Sequence, residues 1–116
     1  MTKLPLPQRK CARQCPTESL VPAEIEALAR QLGGSWALPE HRRLEKEFRF
    51  PDFRQALDFV NGIGALAQAE NHHPDIELAW GRVKVTLWTH RAKGLTENDF
   101  ILAAKIDALP KQPKRG

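Results

Sequence analysis

The chain has 116 residues, 41% of them apolar and 28% charged, which fits one globular domain with a real hydrophobic core. Its formal charge is +4, but the excess lies at the ends, in Lys3, Arg9, Lys10 and Arg13 and again in Lys111, Lys114 and Arg115, so nucleic acid is not the expected partner. No stretch approaches a transmembrane helix, and "MTKLPLPQRKCARQCP" has no apolar core of a secretory signal, so a cytoplasmic protein is expected.

Residues 1–19 hold Pro5, Pro7 and Pro16 without an apolar period and read as a flexible, basic arm. Cys11 and Cys15 form C-x3-C with no second pair, which reads as two free thiols rather than a zinc site. Residues 20–109 read as the domain, and 110–116, "PKQPKRG", as a basic tail.

Within the domain, Pro22 suits a first helical turn, and Ile25, Leu28, Ala29 and Leu32 recur at helical spacing up to Gly33-Gly34. "SWAL" at 35–38 is a short strand candidate. In 42–50, Leu44, Phe48 and Phe50 share one face while Arg43, Glu45, Glu47 and Arg49 share the other, the pattern of a half-solvated antiparallel strand; Lys46 interrupts its apolar face. Asp52 caps a helix over 52–69, with Phe53, Ala56, Leu57, Val60, Ile63, Gly64 and Ala67 on one stripe. Pro74 forces that helix to end, so "ENHHP" is a helix-to-strand corner.

Beyond the corner, Ile76, Leu78 and Trp80 alternate with Glu77 and Ala79. Val83, Val85, Leu87 and Thr89 then alternate with Lys84, Thr86, Trp88 and His90, which predicts a hairpin turning at 81–82. In that register 80 faces 83, 78 faces 85, 76 faces 87 and, further out, His73 faces His90. Thr96 caps a last helix reaching Leu109. The order is α-β-β-α-β-β-α, an α+β domain with an antiparallel sheet and helices packed on one face.

His72, His73 and His90 thus fall at one end of the predicted hairpin. Imidazole is the side chain whose charge changes nearest neutral pH, so convergence suggests acid–base chemistry. A metal site is the other functional reading, but adjacent histidines rarely reach one ion and the H-E-x-x-H spacing is absent. Surface or capping roles stay open beside both. Asp99, three residues after Thr96, is either a capping-box carboxylate or a carboxylate near the His90 loop. Trp88 shares a strand face with His90, either as packing or as one wall of a pocket for a flat heterocycle.

Taken together, "ENHHPDIELAWGRVKVTLWTHRAKGLTENDFILAAKID" resembles the pterin-4a-carbinolamine dehydratases, in His72-His73-Pro74, Trp80, Thr89-His90, Gly94-Leu95-Thr96 and Asp99. The resemblance covers about residues 20–109. It implies a four-stranded antiparallel sheet in a protein that assembles as a homodimer or homotetramer. The implied activity is dehydration of 4a-hydroxytetrahydropterin to quinonoid dihydropterin, recycling the cofactor of aromatic amino acid hydroxylases. It implies His72, His73 and His90 as catalytic residues, with Glu70, Pro74, Trp88, Thr89 and Asp99 on the substrate side, and neither metal nor cofactor. His73 and His90 would handle the hydroxyl and N5 protons, and His72 would hold the pterin or share the proton work. Two further roles are compatible with the likeness: a non-catalytic dimerisation protein, as in the animal members that bind a homeodomain transcription factor, and a pterin-binding protein linked to molybdenum cofactor metabolism. One position departs from the pattern: Gln68 stands where these proteins often carry an acid.

Overall fold

In the computed structural model, residues 4–12 and 14–110 are described. The basic tail assigned to 110–116 lies outside the described residues but for Pro110. Three helices, α1 (Pro22–Gln31), α2 (Phe53–Glu70) and α3 (Glu97–Asp107), accompany three strands, β1 (Leu44–Arg49), β2 (Asp75–Ala79) and β3 (Arg82–Leu87). The strands form one antiparallel sheet in the order β1-β3-β2.

Local chemistry sets most boundaries. Gly33 and Gly34 both take φ of 73° after α1, a backbone region glycine enters without steric cost. Asp52 caps α2 by accepting from the Gln55 N–H at 2.8 Å. At its far end Asn71 takes the left-handed conformation (φ 53°) and closes the last turn onto the Ala67 carbonyl.

The strand alternation places Leu44, Phe48, Val83, Val85 and Leu87 on the buried face. They join Ala56, Phe59 and Ile63 of α2 and Phe100, Leu102 and Ile106 of α3 in one core cluster. Full burial of such a side chain contributes about 1.5–3 kcal/mol. Glu47, Arg49 and Glu77 point to solvent on the other face. Lys46, the interruption in the apolar face of β1, reaches Asp107 Oδ1 at 2.7 Å at the end of α3 and lies over the Trp36 and Phe48 rings. Its stem covers apolar surface while its ammonium finds a carboxylate.

Among the described residues the sheet has three strands where four were expected. "SWAL" contributes a single bridge, in which Ala37 and Glu45 exchange both backbone hydrogen bonds at 2.8 and 3.0 Å. It cannot lengthen into a strand. The two left-handed glycines precede it, Pro39 has no N–H to donate, and Glu40 and His41 follow at φ of 53° and 56°.

The hairpin register also differs. Ala79 pairs with Arg82, Leu78 with Val83 and Ile76 with Val85, so Trp80-Gly81 is the two-residue loop. The loop keeps two residues but falls one position earlier than the sequence suggests, so each residue's partner shifts by two. A slip of two keeps every side chain on its face, which is why the buried set was legible although the pairing was not. Gly81 fixes the loop: its carbonyl accepts from Phe50 N–H at 2.8 Å, and a Cβ there would meet the Phe50 carbonyl oxygen at 2.6 Å.

Residues 4–12, which the sequence presents as an arm, lie along α3. Leu6, in a single 3-10 turn, is buried in the main core.

Candidate functional site

Because β2 and β3 are antiparallel, the start of β2 and the end of β3 are the same end of the sheet. The corner 71–74 leads into the first, and 88–94 leaves the second. This second segment is a closed loop: Thr89 and Gly94 exchange backbone hydrogen bonds at 2.8 and 3.3 Å around a 3-10 turn over His90–Ala92. Lys93 takes φ of 55° to complete it. The chain then enters α3 through Thr96.

Asp99 lies in the first turn of α3 and is wholly buried. Its Oδ2 accepts from the Thr96 N–H at 2.9 Å, the capping bond, and from the Thr89 hydroxyl at 2.8 Å. Its Oδ1 lies 2.6 Å from Nε2 of His72, itself buried. A carboxylate only accepts, so the hydrogen in this contact sits on His72 Nε2, and in the neutral ring Nδ1 then holds the lone pair. Since the one Thr89 hydroxyl hydrogen goes to Asp99, the Thr96 hydroxyl donates in the 2.8 Å contact between the two threonines. Three donors therefore meet one carboxylate, which closes the first turn of α3 and contacts His72 at once.

The other histidines lie differently. His73 is exposed, and its Nε2 is 2.7 Å from Gln68 Oε1, one helical turn back on α2. The amide oxygen accepts, so Gln68 orients this ring as an acid would, without the charge. His90 is exposed and stacks on Trp88, with centroids 4.0 Å apart and planes 27° apart. The ladder ends at Asp75 opposite Thr86, so its register, continued outward, does not bring positions 73 and 90 opposite each other. Among the described residues no hydrogen bond joins one of the three imidazoles to another. What the structure brings together directly is His72, Thr89 and Asp99, with Thr96, which the sequence suggested only as a cap.

Pro74 is half-buried immediately before β2. Glu70, at the end of α2, faces the arm: its Oε1 accepts from the Cys11 N–H at 2.8 Å, and Lys105 lies 3.8 Å from Oε2. The Cys11 thiol is half-buried against this carboxylate and is pushed up from 9.0 to about 12, by burial first and by Glu70 second. Both cysteines are free. Among the described residues no group of three His, Cys, Asp or Glu side chains gathers as metal ligands would, and no helix is long and apolar enough to cross a membrane.

Residues 18–109 match the family model described as Pterin 4 alpha carbinolamine dehydratase. A protein of Rubrobacter xylanophilus, provisionally named pterin-4-alpha-carbinolamine dehydratase, is 55% identical over 86 residues, covering 74% of this chain and 79% of that one. The crystal structure of a transcriptional coactivator/pterin dehydratase from Brucella melitensis superposes with a TM-score of 0.73 at 34% identity, covering 78% of this chain and 97% of that one. A pterin dehydratase-like protein identified as a RuBisCO assembly factor in the alpha-carboxysome has a TM-score of 0.50 at 28% identity, covering 57% of this chain and 76% of that one.

Proposed function

The chain belongs to the pterin-4a-carbinolamine dehydratase family, and from that premise we propose that it dehydrates 4a-hydroxytetrahydropterin to quinonoid dihydropterin by histidine acid–base catalysis. In that reaction the C4a–O bond breaks and the hydroxyl, once protonated, leaves as water. The N5 proton is removed, and its electron pair forms the C4a=N5 double bond. Nothing is oxidised or reduced overall. The chemistry needs an acid beside the hydroxyl and a base beside N5, each contributing about 10²–10⁴-fold.

The observation that carries this reading is the buried His72–Asp99 contact at 2.6 Å. A carboxylate with three donors, sealed from water, is a costly arrangement for capping alone. It supports a role in holding one imidazole in a single tautomer with Nδ1 available to a proton. His73, oriented by Gln68, and His90, backed by the Trp88 ring, then serve as the exposed partners that meet the substrate, with His90 and Trp88 offering a flat surface to a bicyclic ring. Pro74 and Thr89 keep the two segments of the site in place on either side. The product would feed a reductase that regenerates the hydroxylase cofactor, and the protein would act in the cytoplasm as a homodimer or homotetramer.

The test supplies 4a-hydroxytetrahydropterin from a hydroxylase reaction and follows its disappearance by ultraviolet absorbance. Purified protein should speed the loss, and the double variant His73→Ala/His90→Ala should return it to the uncatalysed rate. Full activity in that variant defeats the histidine mechanism. A second reading, a scaffold without turnover, draws on the assembly-factor role of one structural relative. It is favoured if the wild type is inactive on the carbinolamine yet forms a stable complex with another protein.

A further inference from the structure

We propose that residues 9–12 are a positioning strut for the His72–Asp99 pair, so that the arm outside the family-matched region is part of the catalytic apparatus. The inference rests on the dehydratase reading for its kinetic arm only. The three consecutive residues that open α3 divide their side chains between the arm and the site. Glu97 Oε2 pairs with Arg9 Nη1 at 2.7 Å. Asn98, buried, accepts from the Ala12 N–H through Oδ1 at 2.8 Å and from the Cys11 thiol through its backbone carbonyl at 3.6 Å. Asp99 then holds His72. The last residue of α2 is engaged in the same way. Glu70 takes the Cys11 N–H, and His72 follows two residues later through Asn71.

The strut therefore joins the two segments that carry the pair, the end of α2 and the start of α3, through adjacent backbone N–H groups of Cys11 and Ala12. Lys105 reinforces the link, donating to the Pro7 carbonyl at 2.9 Å while lying near Glu70. Leu6 in the core anchors its other end. Main-chain donors held by buried or part-buried side-chain acceptors fix distance more tightly than exposed ion pairs do. Arg9, Glu70 and Asn98 are positioning residues on this account, and Glu70 serves the arm rather than the pterin.

The experiment uses the full chain with Arg9→Ala, Asn98→Ala, Glu70→Ala and the conservative Glu70→Gln, which keeps an oxygen for the Cys11 N–H. Three quantities are read: kcat and KM for carbinolamine dehydration, the ¹⁵N and ¹H signals of the His72 imidazole, and Tm. The alanine variants should lower kcat roughly 10-fold with KM held within about two-fold, as small displacements of a reacting group do. They should also shift or broaden the His72 signals, while Glu70→Gln retains wild-type values in both. Unchanged His72 signals and kcat in folded alanine variants, with only Tm lowered, overturn the proposal. If Asn98→Ala fails to fold, Arg9→Ala, at a part-buried ion pair, decides the question by the same readouts. An inactive wild type overturns the dehydratase reading alone. The His72 signals still report the coupling: moved by Arg9→Ala they uphold the strut, and unmoved they sink it.

Discussion

Asp99 Oδ1 and His72 Nε2 lie 2.6 Å apart although 27 residues separate them, and the same carboxylate closes the first turn of α3. Stability and the proposed catalysis therefore share one side chain. Asp99→Asn keeps the shape but offers one acceptor oxygen where two are used, and turns an NH₂ group towards a donor. We expect a loss of about 1–3 kcal/mol of stability, the cost of a buried unsatisfied group. Dehydration should fall by roughly 10²-fold or more, since the His72 tautomer is no longer fixed. Urea unfolding and the dehydration assay read the two effects separately. A variant with wild-type kinetics would show that the contact is only a cap.

The exposed histidine tests the departure at position 68. Gln68 Oε1 orients His73 at 2.7 Å with a neutral acceptor. A carboxylate accepts more strongly, by about 1 kcal/mol before screening. Gln68→Glu should therefore raise kcat/KM a few-fold, and Gln68→Leu should lower it by a similar factor, with Tm nearly unchanged because the site is exposed. If both variants match the wild type, the orientation of His73 is not used in the reaction.

Much of this arrangement was written in short-range signals. The Asp52 and Thr96 caps, the alternation of Val83, Val85 and Leu87, and the break at Pro74 depend on neighbours within a few residues, and the three helices, the strand in 42–50 and the hairpin survive, whereas "SWAL" is reduced to a single bridge. What failed depends on distant atoms. The turn falls at Trp80-Gly81 because Gly81 is pressed on the Phe50 backbone, which no local pattern announces. Phe59, not Phe53, enters the core, since Phe53 begins the helix at its exposed end. Leu4 and Leu6 both stand between prolines and basic residues in a stretch with no period, and nothing local says that Leu6 is the buried one. At the site, the T-x-x-D spacing revealed Asp99 as a cap, but which histidine it holds is decided by where the corner meets α3. The register count favoured His73 with His90; the fold instead buries His72.

Gly81 makes that non-local constraint measurable. A Cβ would stand 2.6 Å from the Phe50 carbonyl oxygen, and backbone cannot swing away as a flexible side chain can. Gly81→Ala should cost about 1–3 kcal/mol, the range for forced overpacking. Denaturant unfolding measures it directly. Amide exchange should show the loss of protection centred on the Phe50 N–H, which donates to the Gly81 carbonyl at 2.8 Å. A variant as stable as the wild type would mean that β1 and the hairpin tip are not held at this spacing.

The last prediction concerns pH and the docked arm. The Cys11 thiol is pushed from 9.0 to about 12, by burial and then by the Glu70 carboxylate. The folded protein thus prefers the protonated thiol more than the unfolded chain does. Its stabilising contribution is fully present below pH 9 and is lost as pH rises through the window from 9 to about 12. Folded protein at pH 8 holds about 10³-fold less Cys11 thiolate than the unfolded chain. A more basic thiolate is also more nucleophilic, with a Brønsted slope of about 0.4–0.5, which leaves a net slowing of roughly 30-fold. Iodoacetamide labelling at pH 8, native against urea-unfolded, should show that ratio at Cys11 by peptide mass spectrometry, and the gap should narrow as pH is raised. Equal rates in the two states would place Cys11 in water and undo the docking of the arm on Glu70 and Asn98.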